Sequence, residues 1–306
     1  MSVTRMHHDE LDVNKPLVNR LIAEQFPAWA GLPLQAVLSS GTDNAIYRLG
    51  DDMAVRLPRL GGAALQVEKE SLWLSRLAPH LPLAVPVPLV LGIPAAGYPF
   101  HWSVCRWLAG KDAVVSPIAD LHEAAVSLSQ FTSALQKMDI AGGPPPGAHN
   151  FSRGASLVSR DAQTRAAIES LNGIIETAPL TQAWNAALEI EPWDKPPVWL
   201  HGDIHAGNLL VQQGRLTAVI DFGGLGVGDP ACDLMVGWNL LTAEARATFR
   251  WGLTVDDATW GRARGWALSV AVVALPYYLH TNPVLVEISR HAIRQVLADH
   301  SDGLND

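Results

Sequence analysis

Two hydrophobic periods divide this chain. Near the start, Asn14 precedes Lys15 and Pro16, and apolar residues then recur at Leu17, Val18, Leu21 and Ile22. That is an N-cap, an early proline and a helical stripe. From Leu34 to Leu57 the texture changes to short apolar runs. Residues 45–49 and 53–57 predict a hairpin around Gly50-Asp51-Asp52, and Gly61-Gly62 closes the strand region ahead of a helix over 63–77. Residues 79–99, rich in proline, read as an extended connector, and 101–108 as a buried strand. Beyond Gly110 the pattern is mostly helical, with helices expected at 117–138, 159–175, 180–189, 230–250, 257–279 and 283–299. The expected architecture is α+β: a small strand-rich N-terminal lobe over 1–110, its hinge at 101–110, and a larger helical lobe over 111–306.

Composition narrows the function classes. With 306 residues, 48% hydrophobic and 17% charged, the chain can bury a sizeable core or two packed lobes. Two cysteines, Cys105 and Cys232, build neither a disulfide framework nor a zinc site, which suits a reducing cytoplasm. The first fifteen residues lack the apolar stretch of a signal peptide, and the most apolar segment, 266–279, is too short to span a bilayer, so no membrane role is expected. The net charge of −8 is uneven. Residues 1–110 hold 9 acidic and 9 basic side chains, whereas 111–306 hold 21 acidic against 13 basic. An acidic helical lobe disfavours nucleic acid and would suit a cationic small molecule.

The chemistry concentrates in residues 198–224, VWLHGDIHAGNLLVQQGRLTAVIDFGG. Two apolar runs, 208–211 and 216–220, flank a QQGR turn, and a hairpin there brings its outer ends together. Asp203, Asn208 and Asp221 then converge. Magnesium takes hard oxygen ligands, which Asn208 and Asp221 supply, with phosphate oxygens and water completing the shell. Asp203 stands apart to orient and deprotonate an attacking hydroxyl. The five-residue step from Asp203 to Asn208 and the Asp221-Phe222-Gly223 triplet both match kinase motifs. A hydrolase reading fails for want of a G-x-S-x-G elbow.

His201-Gly202-Asp203-x-His205-x-Gly207-Asn208, followed by Ile220-Asp221-Phe222-Gly223, resembles the aminoglycoside phosphotransferase and choline kinase family, small-molecule relatives of the protein kinases. The downstream Gly228-Asp229-Pro230-Ala231-Cys232-Asp233-Leu234 is also similar to that family. The resemblance implies a protein-kinase-like two-lobe fold with a small antiparallel sheet, and ATP or GTP as phosphoryl donor. It implies Asp233 as a brace of the catalytic loop, with His201 in support. It also places Arg56 at the kinase lysine position and Glu70 as its partner, although arginine is a departure from that lysine. The loop Ser40-Gly41-Thr42 falls where a phosphate-covering loop belongs. Arg106 and Leu108 fall at the family's hinge, where backbone groups would read the base.

The acceptor is expected against the helical lobe. His149, Asn150 and Arg153, in a polar loop after the rigid GGPPPG, are the candidate lining, together with the last two helices. Trp238, Trp260 and Trp266 at helical spacing read as core. His205 reads as a brace beside Asp203. The expected reaction is transfer of a γ-phosphoryl group to a small-molecule hydroxyl, with a cationic antibiotic such as an aminoglycoside matching the acidic lobe. A kinase of a metabolic amino or sugar alcohol fits the same motifs. A nucleotide-binding pseudokinase with a scaffold role is the reading from another class. Arg56 favours it, and the joint presence of Asp203, Asn208 and Asp221 opposes it.

Overall fold

The computed structural model describes residues 10–37 and 43–302. Helix α1 (Lys15–Gln25) starts where Asn14 Oδ1 accepts the Leu17 amide at 3.1 Å, and it buries Val18, Leu21 and Ile22. Strands β1 (Leu34–Ala36), β2 (Asn44–Leu49) and β3 (Met53–Pro58) follow, then α2 (Gly61–Leu77), β4 (Pro88–Gly92) and β5 (Trp102–Arg106). The β2–β3 hairpin pairs Leu49 with Met53 across a turn in which Gly50 takes φ +59°. The five strands form an antiparallel sheet in the order β1-β2-β3-β5-β4. Within the expected connector, β4 begins at Pro88 and lies at the sheet's edge, where a missing N–H is tolerated.

The rest is largely helical. It comprises β6 (Lys111–Asp112), α3 (Leu121–Gln136), α4 (Asp161–Ser170), α5 (Ala178–Leu188), β7 (Val198–Leu200), β8 (Leu209–Gln212), β9 (Arg215–Val219) and β10 (Gly226–Gly228). Then come α6 (Ala231–Leu234), α7 (Val236–Asn239), α8 (Ala243–Trp251), α9 (Asp257–Tyr278) and α10 (Pro283–Asp302). The single helix expected over 230–250 is three. The chain breaks at Leu240, and Thr242 recaps it by accepting the Ala245 amide at 3.4 Å. Helix α3 begins later than expected, because Asp120 takes the His122 and Glu123 amides at 2.8 and 3.1 Å.

Two apolar cores result. One joins Val18, Leu21 and Ile22 of α1 to Leu49, Val55, Leu57, Trp102 and Val104 of the sheet. The other gathers α3, α5, α9 and α10 around Trp184, Trp199, Trp238 and Trp266. Trp238 and Trp266 are fully buried and Trp260 nearly so, as their helical spacing predicts. The segments carrying Asn208 and Asp221 flank a separate small sheet, β6-β8-β9, in the helical lobe. Among the described residues no helix is long and apolar enough to cross a membrane.

Candidate active site

The β8–β9 hairpin brings its outer ends together through the Leu209–Val219 pair, and the Ile220 amide donates to the Asn208 carbonyl at 2.9 Å. Asn208 Nδ2 donates back to the Asp203 carbonyl at 2.9 Å and to its Oδ2 at 3.2 Å. Asp221 stands next to Ile220 with φ +65°, a left-handed conformation that a non-glycine residue adopts at a cost of about 1–3 kcal/mol. Asp203, His205, Asn208 and Asp221 all line one cleft of about 780 Å³.

Buried groups hold these loops. Asp233, wholly buried, accepts the His201 amide at 2.7 Å and the Gly202 amide at 2.6 Å. Burial pushes its carboxyl up to about 6, against the pull of those two amides. His201 Nδ1 accepts the Asp203 amide at 3.1 Å, so Nε2 carries the proton donated to the Ile220 carbonyl at 3.1 Å. One ring therefore ties the Asp203 turn to the strand leading to Asp221, and burial lowers it to about 4, which keeps it neutral. Gly202 has φ +87°, and a Cβ there would lie 2.5 Å from the Gly224 carbonyl oxygen. This is why glycine precedes Asp203. Behind the loop, Asp229 caps α6 through the Ala231 amide at 3.0 Å and forms a buried pair with Arg262 at 2.8 Å.

The electrostatics keep Asp203 ionised. Burial alone would raise Asp203, but His205, Arg153 and His201 outweigh it and hold the carboxyl well below the usual range. His205 Nε2 lies 3.5 Å from Asp203 Oδ2, and Arg153 Nη2 lies 3.5 Å from Oδ1.

In the sheet lobe, Arg56 of β3 meets Glu70 of α2, and neither is in the cleft lining. Nη1 bonds Oε2 and Nη2 reaches Oε1 at 3.4 Å, with the side chains 12% and 3% exposed. Burial disfavours the Arg56 charge, but Glu70 and then Asp221 keep it ionised. Glu68 turns elsewhere, to His101. Two residues of the same helix face were not singled out from sequence. Lys69 Nζ donates to the Gly223 carbonyl at 2.8 Å and the His149 carbonyl at 3.1 Å, clamping α2 onto the Asp221 loop. Burial lowers it to about 8. Gln66 packs so closely that a Cβ on Gly223 would lie 2.7 Å from its Oε1. Gln66, Lys69 and Glu70 stand at i, i+3 and i+4, on one face of the helix. Ser40, Gly41 and Thr42 lie outside the described residues. Arg106 ends β5 and Leu108 follows it; neither lines the cleft.

On the acceptor side, only one of the three candidate residues reaches the cleft. Asn150 is fully buried and its amide is used inside its own loop, on the Gly147 amide at 2.9 Å and the Arg153 carbonyl at 3.1 Å. The His149 ring is held by Lys69 and the Pro145 carbonyl. Arg153 lines the cleft, with Ala267, Val270, Ala271, Ala274 and Tyr277 of α9 and Ile288 of α10 opposite. Arg160, also in the lining, was not foreseen.

The donor set fits magnesium. Asn208 directs its Nδ2 at Asp203 and His205, and the side chains of Asn208 and Asp221 line the same cleft. Both offer hard oxygens. Among the described residues no group of three or more His, Cys, Asp or Glu side chains could hold a metal by itself.

A family model described as the phosphotransferase enzyme family matches residues 35–266, and the chain belongs to that family. An aminoglycoside 3'-phosphotransferase of Escherichia coli is 40% identical over 81 residues, which cover 25% of this chain and 30% of the relative. Another, of Salmonella typhimurium, is 28% identical over 152 residues, covering 46% and 52%. The chain thus matches about a third to a half of the length of these curated relatives. Among solved structures, the GDP complex of wild-type aminoglycoside 2'-phosphotransferase-IIIa superposes with a TM-score of 0.71 at 17% identity, covering 94% of this chain and 100% of that one. Macrolide 2'-phosphotransferase type I gives 0.60 at 19% identity, covering 92% and 98%. These likenesses establish the kinase-like two-lobe α+β fold.

Proposed function

We propose, from this family membership and the cleft just described, that the chain transfers the γ-phosphoryl group of ATP or GTP to a hydroxyl of a small molecule. The observation that carries the reading is the convergence of Asp203, Asn208 and Asp221 on one cleft, with the hydrogen bond from Asn208 Nδ2 fixing the Asp203 carboxylate at 3.2 Å. A scaffold needs none of these three to fold. Residues 1–110 would then form the nucleotide-binding lobe and hinge, and 111–306 the catalytic and acceptor lobe.

In this mechanism the acceptor oxygen attacks the γ-phosphorus as the bond to the β-phosphate oxygen breaks, and the nucleoside diphosphate leaves with that electron pair. Asp203 orients the hydroxyl and takes its proton; its depressed basicity suits orientation and late proton transfer. Asn208 and Asp221 would hold magnesium, which supplies charge neutralisation for the phosphate oxygens. Arg56, fixed by Glu70, provides a permanent cation on the donor side, and Arg106 and Leu108 would offer hinge backbone groups to the base. Ser40, Gly41 and Thr42 would cover the phosphates through their backbone N–H groups.

The relatives bear on the acceptor. By name they phosphorylate aminoglycosides and macrolides, so small hydroxylated natural products are the class to screen first. The test compares wild type with Asp203→Ala in magnesium-dependent phosphorylation of a hydroxyl-compound library, read by mass spectrometry. Asp203→Ala should lose transfer by at least about 1000-fold while nucleotide affinity, measured by calorimetry, stays within about threefold. Unchanged turnover in that variant would sink the mechanism.

A further inference from the structure

Charge on the acceptor wall runs opposite to charge on the lobe that carries it. Among the residues lining the cleft, the carboxylates are Asp43, Asp203 and Asp221. Two of these belong to the reacting centre, and the third lies on the donor-side lobe. None of the acidic surplus of residues 111–306 reaches the wall made by α9 and α10. Two guanidinium groups do reach the cleft.

Arg160 is 8% exposed. Its Nε donates to Ser269 Oγ at 2.7 Å, and that hydroxyl is itself held by Thr164 Oγ1 at 2.7 Å. The guanidinium lies 5.0 Å from the Trp266 ring centroid, and Arg153 lies 5.8 Å from the same ring. Both side chains are thereby aimed and held rigid. Arg160 finds none of the carboxylates that a buried arginine ordinarily requires. No protein group among the described residues accepts from the terminal Nη atoms of Arg160. Arg153 leaves Nε and Nη1 buried without a partner and reaches only Asp203, at the long distance of 3.5 Å. Asp233 faces Arg153 electrostatically while both its oxygens also accept backbone amides, and burial pushes the nearby Cys232 thiol up to about 12. Burial, and then repulsion from Arg153, lowers Arg160 to about 10, so it remains charged at neutral pH. Arg160, a buried cation with no carboxylate partner, and Arg153, matched only at long range, stand beside an apolar wall and form a receptor for an anion attached to a hydrocarbon skeleton.

We propose that the acceptor is a hydroxy acid: Arg160 receives its carboxylate with Arg153 beside it, the skeleton lies on Ala267, Val270, Ala271 and Ile288, and a nearby hydroxyl faces Asp203. This rests on the phosphotransfer reading and narrows its acceptor. Atoms balance as in that reaction, and the carboxylate is a handle that takes no part in bond-making. A polycation is disfavoured at this wall, because it would meet two fixed positive charges where it needs carboxylates.

The test uses the full chain with magnesium and ATP or GTP. Hydroxybenzoates, hydroxyalkanoates and sugar acids are each presented beside their methyl ester or lactone, with kanamycin as the polycation, and phosphorylated products are read by mass spectrometry. The acid should exceed its own ester in kcat/KM by about 10- to 100-fold, the range expected for a charge-assisted contact. Arg160→Met should raise KM for the acid by a similar factor and change that for the ester much less, so that the acid–ester difference collapses, and Arg160→Lys should recover part of the loss. Nucleotide affinity should stay constant throughout. If Arg160→Met fails to fold, the acid–ester comparison on the wild-type chain stands alone. Equal turnover of acid and ester, or preference for kanamycin, overturns the hydroxy-acid assignment and leaves phosphotransfer intact. So does failure of every acid either to be phosphorylated or to slow water-driven nucleotide hydrolysis. Loss of all magnesium-dependent nucleotide binding would instead overturn the phosphotransfer reading itself.

Discussion

Replacing Arg56 by methionine removes one half of an ion pair whose other half cannot reach water. Glu70 is 2% exposed and accepts from both guanidinium nitrogens. Lys69, the next residue, is not available to compensate, because its ammonium is held by the Gly223 and His149 carbonyls. With the two side chains only 12% and 3% exposed, solvent screening is slight. Arg56→Met should therefore destabilise the fold by about 3–5 kcal/mol, the cost of leaving a buried charge unpaired. Against a total stability of roughly 5–15 kcal/mol, that is a shift large enough to read directly. Arg56→Lys keeps the charge but loses the two-pronged fit, and should cost about 1–2 kcal/mol. The double variant Arg56→Met/Glu70→Leu removes both charges and should recover most of the loss. Urea unfolding followed by tryptophan fluorescence gives all the free energies needed for a double-mutant cycle. A coupling energy below about 0.5 kcal/mol, or a single variant costing under about 1 kcal/mol, would refute the picture of a buried and irreplaceable pair. Calorimetry with magnesium and nucleotide on the same proteins tests its function: Arg56→Lys should bind within about tenfold of wild type and Arg56→Met more weakly.

Other expectations follow from the same geometry. Asp233→Ala removes the acceptor of the His201 and Gly202 amides, and should lower kcat by about 100-fold with a falling thermal midpoint, read by steady-state kinetics and calorimetry. The Asp233 carboxyl lies raised to about 6 in the folded chain, above its ordinary value near 3.8. Its protonated form therefore favours folding, and this contribution is lost as pH rises from about 4 to about 6. Asp233→Asn should flatten that part of the stability–pH curve, and an unchanged slope by urea titration would contradict it. Lys69 has the opposite sign: its folded value of about 8 lies below the ordinary 10.5, so its burial penalty is relieved as pH rises from about 8 to about 10.5. Lys69→Met should remove that upward slope. Gly202→Ala should cost at least about 2 kcal/mol, because the Gly224 carbonyl, unlike a flexible side-chain end, cannot move away; a wild-type unfolding midpoint would show otherwise.

What the sequence determined on its own is local. A turn between two apolar runs places Asn208 beside Ile220 whatever the rest of the chain does, because antiparallel pairing joins hairpin ends. Glycine before Asp203 and a strained Asp221 belong to the same short stretch. Even the Arg56–Glu70 pair lies within a strand and the helix directly after it. Tertiary structure decided contacts between distant segments, which no periodicity encodes. Lys69 reaches a carbonyl 154 residues away, and Arg160 reaches Ser269 across 109 residues. Within the stretch expected as one helix over 230–250, the separate start of α8 goes with a local recapping at Thr242. The acceptor wall departs furthest from the sequence average. Net charge counts every side chain equally, but recognition depends on the few that a fold buries together, and packing placed two arginines there while leaving the acidic majority elsewhere.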